Sequence, residues 1–76
     1  MKGFGKNLRE ERKLAKMTQE DLARAIGVKQ QQVSQWECDK VEPTLFHIAR
    51  IIKALNILFD DLIDGLDVTK NDGEVR

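Results

Sequence analysis

The chain has 76 residues, enough for one small domain, and its thirteen basic and thirteen acidic residues give a formal net charge of zero. With 41% hydrophobic residues, the composition excludes an intrinsically disordered protein. No apolar run approaches the roughly 20 residues of a membrane helix, and the N-terminus lacks the apolar stretch of a signal peptide. A single cysteine cannot form an internal disulfide, so we expect a cytoplasmic protein without a membrane partner.

The first two predicted helices are amphipathic. Apolar residues at helical spacing predict a first helix from residue 4 to about residue 16. Thr18 offers a hydroxyl N-cap, and Asp21 three residues later approximates a capping box. A second helix is predicted over Gln19–Ile26, and it ends at Gly27 because glycine adopts the left-handed conformation without a steric penalty.

Three further helices complete the prediction. The segment Lys29–Cys38 has one apolar face and one face of glutamines, and a short fifth helix covers about Leu58–Ile63. Between them, Thr44 caps a fourth helix whose predicted apolar face comprises Leu45, Ile48, Ala49, Ile52 and Leu55. Since no alternating strand pattern is present, we expect an all-α domain of five helices over residues 1–65 and a polar, flexible C-terminal tail over residues 66–76.

The neutral total charge conceals an asymmetry between the two halves of the chain. Residues 1–40 carry nine basic and six acidic side chains, a net charge of +3, whereas residues 41–76 carry four basic and seven acidic side chains, a net charge of −3. The zero total alone would count against a nucleic-acid partner. The separated charges instead suggest one face for a polyanion and another for a different partner, although chance alone can produce such an offset.

The block from Thr18 to Asp39 has the pattern of two short helices that cross at a wide angle. Such a unit needs a small residue where the helices meet, a glycine in the turn and apolar residues on the second helix. In chain order these structural positions are filled by Leu22, Ala23, Gly27, Val33 and Trp36. Each feature is weak alone, but their combination within about twenty residues is specific.

Residues 4–63 resemble the helix-turn-helix domain of the lambda-repressor-like, Cro and xenobiotic-response-element family of bacterial and phage transcriptional regulators. The matching positions are Gly5, Leu8, Arg12, Thr18, Gln19, Leu22, Ala23, Gly27, Val28, Val33, Glu37, Pro43, Thr44, Leu45, Leu55 and residues 60–62. The resemblance implies a compact five-helix lambda-repressor-like domain whose second and third helices form the DNA-binding unit. It also implies a repressor without a cofactor, bound to double-stranded DNA at the nucleoid as a homodimer on paired half-sites.

The exposed side chains of the third helix suit this role chemically. Glutamine carries the carbonyl and amide groups needed for a bidentate contact with adenine N6 and N7 in the major groove. The resemblance therefore implies base contacts from Gln30, Gln31 and Gln35, and a base or phosphate contact from Lys29. Flanking or phosphate contacts are implied at Gln19, Gln32, Ser34, Lys40, Lys6 and Arg9, of which Lys6 and Arg9 equally suit a solvated helix face. Outside this motif, a run of glutamines would indicate only a solvated face.

Two further features concern structure and assembly. Family members often pair an arginine with the glutamate at the end of the third helix, which implies a structural ion pair between Arg12 and Glu37. Unneeded apolar residues on an outer face are costly unless they are covered. We therefore expect dimer contacts from Phe46, Ile57 and Leu58, with burial beneath the C-terminal tail as the alternative.

Several positions depart from the family pattern. Lys16 and Asp39 stand where glycine is common, so their loops must accommodate a side chain in left-handed backbone. Glu11 stands where the family more often has an apolar residue, which predicts looser packing of the first helix. Leu58 stands where a small polar N-cap is usual.

The sequence does not predict an enzyme or a metal site. The only histidine, His47, is expected to be an exposed helix residue, and the only cysteine, Cys38, a reduced residue at a helix end. No metal-ligand spacing, phosphate loop or catalytic triad accompanies them. The alternative function is an antitoxin or bridging module that uses the same fold to bind a toxin or co-regulator.

Overall fold

Five helices occupy residues 3–66, the part of the chain that this computed structural model describes. They are α1 (Phe4–Leu14), α2 (Gln19–Ile26), α3 (Gln30–Glu37), α4 (Leu45–Leu55) and α5 (Phe59–Ile63). No strand is present between residues 3 and 66, so the predicted all-α architecture is confirmed. None of these helices has the length and apolar character needed to cross a membrane.

The helix ends follow from local chemistry. The Thr18 hydroxyl accepts a hydrogen bond from the Asp21 backbone N–H at 2.9 Å, and the Asp21 carboxylate accepts one from the Thr18 N–H at 3.0 Å, which completes the predicted capping box. Gly27 ends α2 in the left-handed conformation with φ of 79°. Helix α1 ends at Leu14, earlier than predicted, and Lys16 adopts a φ of 60° in the loop that follows.

The core is formed where α2 packs on α3 and α4, and where α1 packs on α3 and α5. The buried apolar residues are Phe4, Leu8, Leu22, Ala23, Ile26, Val33, Trp36, Ile48, Ile51, Leu55 and Leu62. They include the apolar positions assigned to the helix-turn-helix unit from the sequence. The α2–turn–α3 pair is therefore held from its inner side, and the outer side of α3 is left for other contacts.

The buried face of α4 differs from the predicted one. Ile51 is fully buried, whereas Leu45 and Ala49 are exposed. Residues that recur at i, i+3 and i+7 share one face of a helix, and Ile48, Ile51 and Leu55 form that stripe. Because this stripe faces α2, Leu45 at the start of α4 faces solvent.

Two predictions about single residues were wrong. His47 is half-buried instead of exposed, because its ring lies against Trp36 with the ring centroids 5.1 Å apart. Leu66, assigned to the polar tail, packs against the core. The remainder of that predicted tail, residues 67–76, lies outside the described residues.

The Arg12–Glu37 ion pair joins α1 to the end of α3. Arg12 Nε and Nη2 donate to the two carboxylate oxygens of Glu37 at 2.6 and 3.0 Å, and Arg12 Nη1 donates to the Met17 carbonyl at 2.8 Å. Burial acts to raise the pKa of Glu37, but hydrogen bonds from Arg12 and Gln19 and the charges of Arg12 and Arg9 outweigh it. The pKa of Glu37 therefore lies below its ordinary value of 4.5.

Substitution of Gly5 by alanine is expected to destabilise the fold. A Cβ at Gly5 would lie 2.6 Å from the carbonyl carbon of Glu37 and 2.7 Å from the Trp36 oxygen, and backbone atoms cannot move aside as a side chain can. We expect Gly5→Ala to lower the free energy of unfolding by about 1–3 kcal/mol in urea denaturation. The exposed neighbour change Lys6→Ala should stay within about 0.5 kcal/mol. Equal stability of the two variants would contradict the close approach of α1 to α3.

The stability contributed by Glu37 is expected to depend on pH. Because folding lowers the pKa of Glu37, its contribution is complete above the unfolded pKa and is lost as the pH falls through the folded value. Glu37→Gln, which leaves Arg12 buried without a counter-charge, should cost about 3 kcal/mol at pH 7.

The stability difference between wild type and Glu37→Gln should narrow in urea titrations below about pH 4.5. Glu10→Gln, at an exposed position of α1, serves as the control, and its stability at pH 7 should stay within about 0.5 kcal/mol of wild type. A difference that stays constant between pH 7 and pH 3 would show that the carboxylate is not its source.

Candidate nucleic-acid interface

Helix α3 turns its polar side chains outward at its N-terminal end. Gln30 and Gln31 are exposed, and Lys29 precedes them as the N-cap residue. Lys29, Gln31, Gln32 and Gln35 together line an open, polar depression of about 220 Å³. The structure thus brings four of the six predicted α3 contact residues to one surface, and Gln30 and Ser34 flank it on the same helix.

A chain of hydrogen bonds connects Gln30 to the buried ion pair. Gln19, the first residue of α2, donates from Nε2 to the Glu37 carboxylate at 3.0 Å. Gln30 Nε2 in turn donates to Gln19 Oε1 at 2.8 Å. Gln19 was predicted to contact phosphate, and its position between two other side chains was not foreseen. Its side chain joins the ion pair to the exposed surface of α3.

These hydrogen bonds determine the orientation of the Gln30 amide. An ionised carboxylate only accepts hydrogen bonds, so Glu37 must be met by the NH2 group of Gln19. The Gln19 oxygen then faces Gln30 and accepts one of its two amide hydrogens. The second amide hydrogen and the carbonyl oxygen of Gln30 are thereby directed away from Gln19. Both a donor and an acceptor stay available for a ligand at this exposed position.

The predicted basic residues lie in different settings. Lys40 is exposed directly beyond α3, where its backbone N–H donates to the Gln35 carbonyl at 3.0 Å. Lys6 is exposed on α1. Arg9 instead lies over the end of α3, with Nε 3.6 Å from Glu37 Oε1 and Nη2 3.4 Å from the Glu37 carbonyl oxygen. The Arg9 side chain remains 46% exposed, so a ligand can still contact it from the solvent side.

Exposed apolar side chains stand at the starts of α4 and α5. Leu45 and Phe46 are 81% and 78% exposed and line an open apolar groove of about 490 Å³, while Leu58 and Phe59 are 70% and 45% exposed. One pair stands at the start of α4, and the other follows the end of that helix in the chain. Of the predicted dimer residues, Phe46 and Leu58 are therefore accessible, and Ile57 is half-buried against the core.

Comparison with known proteins places this arrangement in a family. A sequence profile described as helix-turn-helix matches residues 8–62, which contain α2, α3 and most of the core. No curated protein matches the chain closely enough to be counted as a relative.

Several solved structures share the fold at useful sequence identity. The restriction-modification controller protein C.AhdI from Aeromonas hydrophila is 32% identical with a TM-score of 0.74, over 78% of this chain and 89% of that one. The DNA-binding domain of the P22 c2 repressor is 32% identical with a TM-score of 0.76, over 90% of both chains. The P22 c2 repressor in complex with a synthetic operator matches at the same identity and TM-score, over 86% of this chain and 98% of that one. The chain therefore belongs to the lambda-repressor-like helix-turn-helix family.

Proposed function

We propose that this protein is a sequence-specific regulator of transcription, most simply a repressor, that binds double-stranded DNA with α3 in the major groove. Membership of the family supports this function, as does the similarity to a repressor solved in complex with its operator. The observation that carries the proposal is the hydrogen-bonded chain from Glu37 through Gln19 to Gln30, because it orients an exposed amide as base recognition requires.

The proposed base contacts begin at Gln30. Its carbonyl oxygen accepts from adenine N6, and its second amide hydrogen donates to adenine N7. Gln31 and Gln35 read neighbouring base edges along the same helix, and Lys29 contacts a guanine or a phosphate at its start. Gln32 and Ser34 contact the DNA at the flanks.

Phosphate contacts would fix the position of the protein on the duplex. The first backbone N–H groups of a helix have no partner within it, so the start of α2 at Gln19 suits one phosphate. Lys40 beyond α3 suits another. Lys6 and Arg9 on α1 are the remaining candidates, and Arg9 would have to reach a phosphate from its position over Glu37.

A homodimer completes the proposal. Two copies related by a two-fold axis read two half-sites one helical turn apart, which gives a palindromic operator. The exposed apolar residues at the starts of α4 and α5 supply the surfaces that such an axis would cover. The same surfaces suit the alternative function, in which a toxin or co-regulator occupies them. In either case we place the protein in the cytoplasm, and on the nucleoid when it is bound to DNA.

Loss of the two leading glutamines is expected to abolish base selectivity. The operator is first obtained by selection from a random duplex pool, in which a recovered palindrome would also establish the symmetry. Each bidentate glutamine–adenine contact contributes about 1–3 kcal/mol of discrimination. In fluorescence anisotropy, Gln30→Ala combined with Gln31→Ala should therefore bind the selected duplex little better than a scrambled one.

A variant at Lys40 provides the contrast. Lys40→Ala should weaken binding to both duplexes alike and lower the slope of log K against log salt by about 1. Gln19→Ala should lose part of the selectivity, because it frees the Gln30 amide to rotate. Unchanged selectivity in the double glutamine variant would remove these residues from the site.

The dimer is expected to depend on exposed apolar residues at one or both helix starts. Wild-type protein should sediment as a dimer at micromolar concentration, and Phe46→Asp or Leu58→Asp should shift it toward monomer because a buried charge opposes association. Leu14→Asp is the matched control, since Leu14 is equally exposed on α1 but lies outside the predicted contact. A protein that stays monomeric even on DNA would contradict the homodimer.

A further inference from the structure

We propose that Asp39 is a positioning residue for DNA binding, because its carboxylate fastens the first turn of α1 to the end of the recognition helix α3. This inference rests on the function proposed above. Asp39 Oδ1 accepts a hydrogen bond from the Gly5 backbone N–H at 2.9 Å, and Oδ2 accepts one from the Gly3 N–H at 3.2 Å. One side chain thus caps a helix that begins 34 to 36 residues earlier in the sequence.

Helix α1 has no cap of its own. Its N-cap residue, Gly3, has no side chain to accept from the first backbone N–H groups. The first N–H groups of a helix have no partner within it, and Asp39 supplies one for Gly3 and for the part-buried Gly5. The negative charge of Asp39 is also favourable at this end, because the N-terminus of a helix carries partial positive charge.

Asp39 adopts a conformation that glycine would adopt more easily. Its φ is 58°, in the left-handed region, and its own N–H donates to the Trp36 carbonyl at 3.1 Å as the chain leaves α3. Among residues with a side chain, aspartate tolerates this region better than most, but glycine carries no penalty there. The capping bonds therefore give a physical reason for an acid at this position.

Together with the ion pair, this contact holds α3 against α1 at two points. The Arg12–Glu37 pair lies two turns along α1 from Gly5, and Asp39 adds the second attachment at the start of that helix. The side-chain hydrogen bonds from α1 to α3 otherwise all end on Glu37, so the Asp39 bonds add a second attachment that opposes tilting of α3 about Glu37. Tilting of α3 about Glu37 would displace Gln30 and Gln31 most, because they lie at the opposite end of the helix.

Electrostatics alone predicts the opposite outcome for loss of this acid. Asp39 is adjacent to Lys40, a proposed phosphate contact, so its removal eliminates a repulsion between the protein and DNA. If Asp39 had no positioning role, Asp39→Gly would bind DNA more tightly than wild type. If it positions α3, the same variant binds the selected duplex more weakly, so the direction of the change is decisive.

The test compares three variants of the full chain at a temperature where urea titrations show each to be folded. Asp39→Gly keeps the left-handed backbone and removes the cap, whereas Asp39→Asn retains an oxygen that can accept one of the two bonds. Asn7→Ala is the control for stability, since it removes side-chain bonds to the Leu62 and Asp64 carbonyls on the other side of α1. Anisotropy with the selected and the scrambled duplex is the readout.

We expect Asp39→Gly to lower affinity for the selected duplex about tenfold while affinity for the scrambled duplex is unchanged or higher. Asp39→Asn should recover most of that loss, and Asn7→Ala should bind like wild type. Hydrogen exchange at the Gly5 amide should accelerate in Asp39→Gly and much less in Asn7→Ala.

Wild-type or higher affinity of Asp39→Gly for the selected duplex would overturn the inference and leave the proposed function standing. Equal losses in Asp39→Gly and Asn7→Ala would overturn it too, because general loosening would then explain both. A wild-type chain that selects no duplex from the pool would overturn the proposed function, and this inference with it.

Discussion

The buried carboxylate of Glu37 is the group through which the first three helices meet. It lies at the end of α3, accepts two hydrogen bonds from Arg12 on α1 and accepts another from Gln19 on α2. A buried charge is tolerated only when it is paired and hydrogen-bonded, so these contacts are mutually required. The crossing angle of α2 and α3 is therefore maintained by a buried, hydrogen-bonded ion pair as well as by apolar packing.

The same carboxylate also determines the chemistry of the exposed surface. Because Glu37 cannot donate, it imposes one orientation on the Gln19 amide, and Gln19 imposes one on Gln30. The orientation of a side chain on the outside of the domain is thus set by a charge inside it. Stability and base reading are coupled here, since protonation of Glu37 would remove the reason for the amide orientation.

The sequence predicted features that depend on neighbouring residues and missed those that depend on distant ones. The Thr18 capping box and the left-handed Gly27 are local, and both are present. The choice of Ile51 over Ala49 for the core depends on where α2 packs against α4, which spacing alone does not determine. The Asp39 cap joins residues more than thirty positions apart, so no local sequence pattern predicts it.

The neutral net charge makes the orientation of the DNA-contacting side chains more important for selectivity. Without a strong positive field, long-range attraction to DNA and non-specific affinity are expected to be modest, so selectivity must come from base contacts and from dimer symmetry. A free glutamine loses side-chain freedom on binding, at a cost of about 0.5–1.5 kcal/mol. The bond to Gln19 restricts Gln30 before binding, so ordering this side chain on the DNA costs less. For a DNA-binding protein with no net charge, side chains that are already oriented in the free protein therefore contribute most to binding.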